Sequence, residues 1–197
     1  NATASDAQNL RWLADGRLLV LRKPAGEQIA KLFLRSGLDG TEALLVDPQD
    51  WRGPTGKPHN IAYFRASPDG RKLAVGIAEA GSEEAVLHIF DLATMKPLEP
   101  ELSRVPFGMH WLPDSSSFVY SRLNEMKAGA PVTDRKRDVQ AYRHRIGEPH
   151  AQDPVIFGNR YDSGLNIQPN EIARLTVSPG SEWLLANPGT VGNQRTV

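Results

Sequence analysis

The apolar positions of this chain fall in short alternating runs closed by turns, with little of the i, i+3, i+4 spacing that a helix needs. The clearest example is residues 61–66, the turn Ser67-Pro68-Asp69-Gly70, and residues 72–78. Pro presets φ, Asp hydrogen-bonds its own backbone and Gly accepts the positive φ that closes the turn, so this stretch predicts a hairpin. A third strand follows at 86–91. A short fourth one is expected near Leu102, after the turn Thr94-Met95-Lys96-Pro97. Together they describe a four-stranded antiparallel unit.

The same grammar recurs. Residues 108–112, the turn Pro113-Asp114-Ser115 and residues 117–122 form a second hairpin, with further strands at 140–145 and 155–157 and an insertion at 124–138. Earlier, residues 10–13, Asp15-Gly16 and 17–21 give another copy, with strands near 31–34 and 43–46. Later, 172–177, Ser178-Pro179-Gly180-Ser181 and 183–186 open a fourth. Successive turns at Asp15, Asp69, Asp114 and Gly180 lie 54, 45 and 66 residues apart, which brackets the length of one propeller blade. Jelly rolls and immunoglobulin sandwiches also have many short strands, but not one turn chemistry repeated at so long a period. The expected fold is therefore all-β, a partial β-propeller of about three and a half four-stranded antiparallel blades, at 3–48, 61–104, 107–158 and, incomplete, 172–197. Residues 26–35 leave an alternative open, since Ile29, Leu32 and Phe33 suit a short helix as well as a buried strand.

Composition narrows the picture. Fifteen prolines and seventeen glycines, spread evenly, leave few stretches long enough for a helix. Lys plus Arg and Asp plus Glu both number 23, so no net field favours nucleic acid or an anionic membrane. The absence of cysteine removes disulfides, thiolate nucleophiles and Cys-based metal sites, and fits a bacterial-type cytoplasm or periplasm equally. Asn1-Ala2 reads as a tag remnant, and the last residues, from Gln194, read as the opening of a strand, so both ends are expected to be cut.

Candidate chemistry is sparse. No serine stands in a Gly-x-Ser-x-Gly turn, the device that lifts a hydrolase nucleophile clear of its sheet. His59, His88, His110, His144 and His150 include no pair at the spacing of a metal-binding helix, and each is read as a strand or loop histidine satisfied by a neighbour or by water. Gly53-Pro54-Thr55-Gly56-Lys57-Pro58 lacks phosphate-loop spacing and is read as a connection. Arg135-Lys136-Arg137, flanked by Asp134 and Asp138, is read as a locally compensated loop, and Glu79, Glu83 and Glu84 as a solvated turn. Trp12, Trp111 and Trp183 occupy corresponding places near three hairpins and are expected to pack between blades.

The repeats carry a family resemblance over roughly residues 27–158. It rests on Leu44-Leu45-Val46-Asp47-Pro48 at a blade end, the run from Phe64 through Ser67-Pro68-Asp69-Gly70 to Gly76, Trp111-Leu112-Pro113-Asp114-Ser115 with 118–122, and Tyr142-Arg143-His144-Arg145-Ile146-Gly147 leading to Asp153-Pro154-Val155-Ile156-Phe157. In this order and at these distances the segments resemble the propeller of prolyl oligopeptidases and oligopeptidase B, serine peptidases of the α/β-hydrolase class. The resemblance implies a seven-bladed ring that caps a separate peptidase domain and admits only short peptides and unstructured segments. The catalytic Ser, Asp and His would lie in that domain, absent from this chain. It also implies one substrate-facing residue, Phe107, the nearest match to a phenylalanine that lines the family's substrate pocket; packing at the start of a strand is the alternative role. The spacing from Phe107 to Trp111 is one residue shorter than the prolyl-specific pattern, which leaves cleavage after proline or after basic residues open. No cofactor or metal is implied.

The expected function is thus a non-catalytic gating and filtering propeller of an oligopeptidase acting on short peptides. A stand-alone protein-interaction module is the alternative. A sugar- or lactonase-type propeller enzyme would need carboxylates or histidines at the inner-strand ends of several blades, and no such series is evident. Open blade edges would favour self-association.

Overall fold

The computed structural model describes residues 6–51, 56–161, 163–178, 181, 183–190 and 193–194. Alternating patterns and turn residues produce three successive antiparallel sheets. The first pairs β1 (Asp6–Trp12), β2 (Leu18–Lys23), β3 (Lys31–Arg35) and β4 (Glu42–Val46) in sequence order. The second holds β5 (His59–Ala66), β6 (Lys72–Glu79) and β7 (Ala85–Asp91). The third holds β8 (Met109–Trp111), β9 (Ser117–Arg122), β10 (Gln140–Arg145) and β11 (Val155–Phe157). Two short pairs follow, β12 (Leu175–Val177) with β13 (Leu184–Ala186) and β14 (Gly189–Thr190) with β15 (Asn193–Gln194), and Ile172, ahead of β12, bridges to Gly189.

The structure decides one open alternative in favour of the expected strand and corrects one expectation. Residues 26–35 form no helix: a turn at Gly26, whose φ of 80° only glycine adopts readily, leads into β3, because Leu32 must pair between β2 and β4 to be buried. The fourth strand expected near Leu102 is only a bridge to Leu87, flanked by a second bridge between Phe90 and Pro97. The prolines at 97 and 100 lack the donor that a continuous ladder requires.

The core lies between the sheets. Along β6, Leu73, Val75 and Ile77 pack with Leu13, Leu19, Leu32 and Val46 of the first sheet. The intervening Ala74 packs with Met109, Trp111, Phe118 and Tyr120 of the third. Val119 and Ala141 on the other face of the third sheet meet Ala173 and Leu175. The second and third sheets are thus packed on both faces, and the middle strand of the second, β6, alternates not between apolar and polar but between large and small. Gly76 completes the small row: a Cβ there would sit 2.3 Å from the ring of Tyr63, whose hydroxyl donates to the Val105 carbonyl at 2.8 Å.

The repeated turns also hold each other. Arg17 Nη2 donates to the Gly70 carbonyl at 3.1 Å, and the Ser115 hydroxyl accepts from the Asp69 amide at 3.0 Å, so each turn is tied to the next sheet's turn. Trp111 shares this duty, with its face against Phe118 and its indole N–H donating to the Arg65 carbonyl at 3.2 Å. Trp12 and Trp183 do not pack between sheets as expected: they are 58% and 77% exposed. Strand alternation commits Leu13, not Trp12, to the interface with the second sheet.

Replacing Gly76 with Ala drives a methyl into the Tyr63 ring and is expected to cost ~1–3 kcal/mol. Leu73→Ala, which hollows the interface between the first two sheets, is expected to cost ~2–5 kcal/mol. Urea unfolding followed by tryptophan fluorescence measures both, and a neutral Gly76→Ala would contradict the described contact.

Candidate functional site

Antiparallel pairing puts the start of β5, the end of β6 and the start of β7 at one end of the second sheet. It likewise puts the start of β8, the end of β9 and the start of β10 at one end of the third. The chain between the sheets joins these two ends: Val105 N–H donates to the Ala85 carbonyl and Leu123 N–H to the Arg104 carbonyl, both at 2.9 Å. The result is a continuous rim opposite the repeated turns.

Phe107 stands on this rim, half-buried, just before β8. It rests on Leu123, Val139 and Ile172, and the Arg174 guanidinium lies 5.0 Å from its ring centre. Gly108 lets the chain swing into β8 at a φ of 80°, with the Tyr63 ring 3.7 Å from where a Cβ would be. Phe107 is therefore an apolar ring held by one wall of the third sheet and one cation from the chain before β12. Both the packing role and a substrate-facing role are compatible with a half-buried ring.

Two charged loops flank it. The insertion 124–138 is closed by Asn124, whose side-chain amide donates to the carbonyls of Asp134 and Arg137. At its far end Gln140 Nε2 donates to the Asp138 carbonyl at 2.8 Å and to Asn159 Oδ1 at 2.6 Å. The basic triplet is not compensated by Asp134 and Asp138 as its sequence suggested. Arg135 instead pairs with Glu84 at 3.0 Å and Lys136 with Glu83 at 2.6 Å, so the acidic turn of the second sheet and the basic loop of the third form one interlocked pair. The Lys136 ammonium lowers the pKa of Glu83. Lys57 meets Glu79 at 2.9 Å, which places the described part of the 53–58 connection on the same rim; residues 53–55 lie outside the described residues.

Beside these loops an open cleft of about 410 Å³ is lined by Trp51, His59, Glu79, Glu84, His88 and Glu101 among others. Burial lowers the His88 pKa, against the opposing pull of Glu101 at 3.8 Å, and its ring stacks on Phe90. The His59 Nδ1 atom is buried and has no protein hydrogen-bond partner. His110 in β8 is also held to low pKa, by burial first and by Arg65 second.

His144 and His150, six residues apart, come together with Glu99 and Asp153 at the other end of the third sheet, a grouping the sequence reading missed. A short 3-10 turn, His150–Gln152, folds the second ring back onto the first. The only sequence signal was the recurrence of His, His and Asp within ten residues on either side of a Gly-Glu-Pro bend, and Glu99 contributes from a different sheet.

This arrangement of successive antiparallel sheets packed face to face defines part of a β-propeller. The chain belongs to the prolyl oligopeptidase N-terminal β-propeller domain family, whose profile matches residues 21–168. Curated relatives include prolyl endopeptidases of Elizabethkingia miricola, 28% identical over 157 residues, and of Elizabethkingia meningoseptica, 28% identical over 146. These alignments cover 76% and 73% of this chain but only 22% and 20% of the relatives, so the chain spans about a fifth of their length. A solved prolyl endopeptidase, from work on inter-domain dynamics in catalysis and specificity, superposes with a TM-score of 0.78 at 22% identity over 93% of this chain and 26% of its own. Prolyl oligopeptidase B of Galerina marginata, solved with a 35mer hydrolysis and macrocyclization substrate, superposes at 0.75 with 16% identity, covering 94% and 27%. These solved structures share the fold.

The interlocked loops should contribute little to global stability. Glu84→Gln is expected to cost no more than ~1 kcal/mol at low salt, with the effect fading as the salt concentration rises. Urea titrations at two ionic strengths check it, and a larger, salt-independent loss would show that the pair is not a surface ion pair.

Proposed function

We propose that this chain is the gating, substrate-filtering part of a serine oligopeptidase propeller, and that it has no peptidase activity by itself. Hydrolysis of short peptides belongs to a peptidase domain that meets the rim. The observation that carries the reading is the rim, where a half-buried apolar side chain, Phe107, is framed by charged loops interlocked between adjacent sheets. Such a surface offers a short unfolded peptide an apolar contact, while the loops obstruct folded chains. The family membership supports this reading. Among the described residues no nucleophile–base pair occupies the rim: no serine hydroxyl is hydrogen-bonded to a histidine.

Phe107 is the residue we assign to substrate contact. In the full-length product of the gene, Phe107→Ala is expected to lower kcat/KM for short peptides ~10–200-fold, the range for loss of an apolar pocket contact, with fluorogenic peptides carrying Pro, Arg or Lys before the reporter as the assay. The 197-residue chain should cleave none of them. Cleavage by the purified chain that a serine-directed inhibitor abolishes would sink the non-catalytic reading, and an unchanged kcat/KM for the variant would return Phe107 to a packing role.

A second reading, association with another copy of this chain, is favoured by one observation. Leu10 and Trp12 on β1, and Trp183 and Leu185 at β13, are large apolar side chains at least 49% exposed. Sedimentation of the purified chain at increasing concentration tests it, and a monomer throughout would remove it.

A further inference from the structure

At the end of the third sheet opposite the rim, the second and third sheets are joined by a buried polar cluster that gating does not use. Glu99 and Pro100, on the chain after β7, meet His144 near the end of β10, and His150 and Asp153 in the turn before β11. The side chains of His144, Asp153 and Glu99 are 0%, 3% and 4% exposed, and that of His150 is 14% exposed. Among the described residues the two carboxylates pair with these histidines and with no Lys or Arg. Two buried negative charges therefore face rings that are ordinarily neutral near pH 7.

Hydrogen-bond accounting sharpens the deficit. His144 Nε2 lies 3.0 Å from Glu99 Oε2, and His150 Nε2 lies 3.3 Å from the Pro100 carbonyl oxygen. The Pro100 carbonyl only accepts, so a neutral His150 carries its proton on Nε2, and a neutral His144 that donates to Glu99 does the same. The two Nδ1 lone pairs then face each other at 3.1 Å, with Asp153 Oδ1 2.8 Å from the first and Asp153 Oδ2 3.7 Å from the second. In that tautomeric state three electron-pair donors converge with no hydrogen between them. Glu99 Oε1, also buried, has no hydrogen-bond partner.

We propose that His144 Nδ1, His150 Nδ1 and the Asp153 carboxylate form a structural site for a divalent transition metal, zinc foremost, that fixes the turn before β11 against β10 and, through the far nitrogens' hydrogen bonds, holds the chain after β7. A tetrahedral zinc ion with bonds of ~2.0–2.1 Å holds its ligand atoms ~3.3 Å apart; the two Nδ1 atoms lie 3.1 Å apart, and the Asp153 carboxylate offers one oxygen to each ring, at 2.8 and 3.7 Å. The far nitrogens are already held by Glu99 and the Pro100 carbonyl, the outer hydrogen bonds that fix tautomer and ring orientation in metal-binding histidines. Glu99 is a positioning residue in this arrangement. Tyr120 donates to Asp153 Oδ2 at 2.7 Å and orients the carboxylate in the same way. Two imidazole nitrogens select zinc-type ions over magnesium and calcium, which prefer all-oxygen sites. The ion's charge offsets those of Asp153 and Glu99, and water completes the coordination on the more exposed His150 side.

The competing occupant is a proton, which would make His144 an imidazolium between the two carboxylates. Burial opposes that charge, but the hydrogen bonds to Glu99 and Asp153 outweigh it and raise the His144 pKa. Calorimetric titration of the chelator-treated protein with zinc sulfate separates the two. One saturable equivalent per chain and a raised melting temperature are expected, with magnesium chloride producing neither. Cobalt should bind with the visible absorption of a four-coordinate site. His150→Ala should remove the bound equivalent, Glu99→Gln should weaken binding ~10–100-fold, and His110→Ala, outside the cluster, should leave it intact. Circular dichroism of each variant establishes that the fold persists. Should His150→Ala unfold, the Glu99→Gln affinity carries the test. Absence of saturable zinc binding, binding unaffected by Glu99→Gln or by a folded His150→Ala, or a His144 imidazolium seen by NMR in excess zinc would each overturn the proposal.

Discussion

Everything in this structure depends on sheets packing face to face in sequence, because no single four-stranded sheet can bury its own surfaces. The second sheet shows the constraint most clearly. Its middle strand presents Leu73, Val75 and Ile77 to one neighbour and Ala74, Gly76 and Ala78 to the other, so both faces are dry while the sheet stays close to each neighbour. Large side chains on one face require small ones on the other wherever a partner ring such as Tyr63 must lie flat. Polar ties at the turns, from Arg17 to Gly70 and from Asp69 to Ser115, set how far each sheet rotates against the next and leave the rim end free for longer loops.

The two ends of the sheets therefore differ in construction. The turn end is short, repeated and cross-linked by hydrogen bonds. The rim end carries the insertion 124–138, the acidic turn around Glu83 and Glu84, and Phe107. A family whose relatives process peptides through a separate peptidase domain can vary this rim without disturbing the interfaces that hold the blades together. The cluster of Glu99, His144, His150 and Asp153 belongs to the turn end. It fastens the irregular chain after β7, where a regular fourth strand is missing, to the outer part of the third sheet.

Much of this was legible in the chain itself, for specific reasons. The hairpin around Ser67-Pro68-Asp69-Gly70 is written by local turn chemistry and by strict alternation, so its strands are found where the pattern puts them. Residues 26–35 show the limit of that signal: the strand expected near 31–34 is found, but three apolar residues fit a helix as well, and only pairing on two sides decides. Trp12, Trp111 and Trp183 look equivalent in sequence, yet only Trp111 has a neighbouring sheet's carbonyl to meet its N–H and a ring to meet its face. The basic triplet was read against its nearest acidic residues, but an extended loop reaches across to Glu83 and Glu84 more easily than it folds back on Asp134. Phe107 was legible only through family resemblance, since nothing in its immediate sequence distinguishes a rim residue from a core one.

The sequence by itself determined the all-β class, the blade-length repeat, the turn types and the absence of a nucleophile elbow, because each of these is set by neighbours along the chain. Tertiary structure alone decided which apolar residues face a partner sheet, which charges pair across the rim, and that Glu99 would meet His144, 45 residues downstream. Those outcomes depend on how successive sheets are rotated and stacked. That geometry is the sum of many side-chain volumes at the interfaces, and no local segment encodes it.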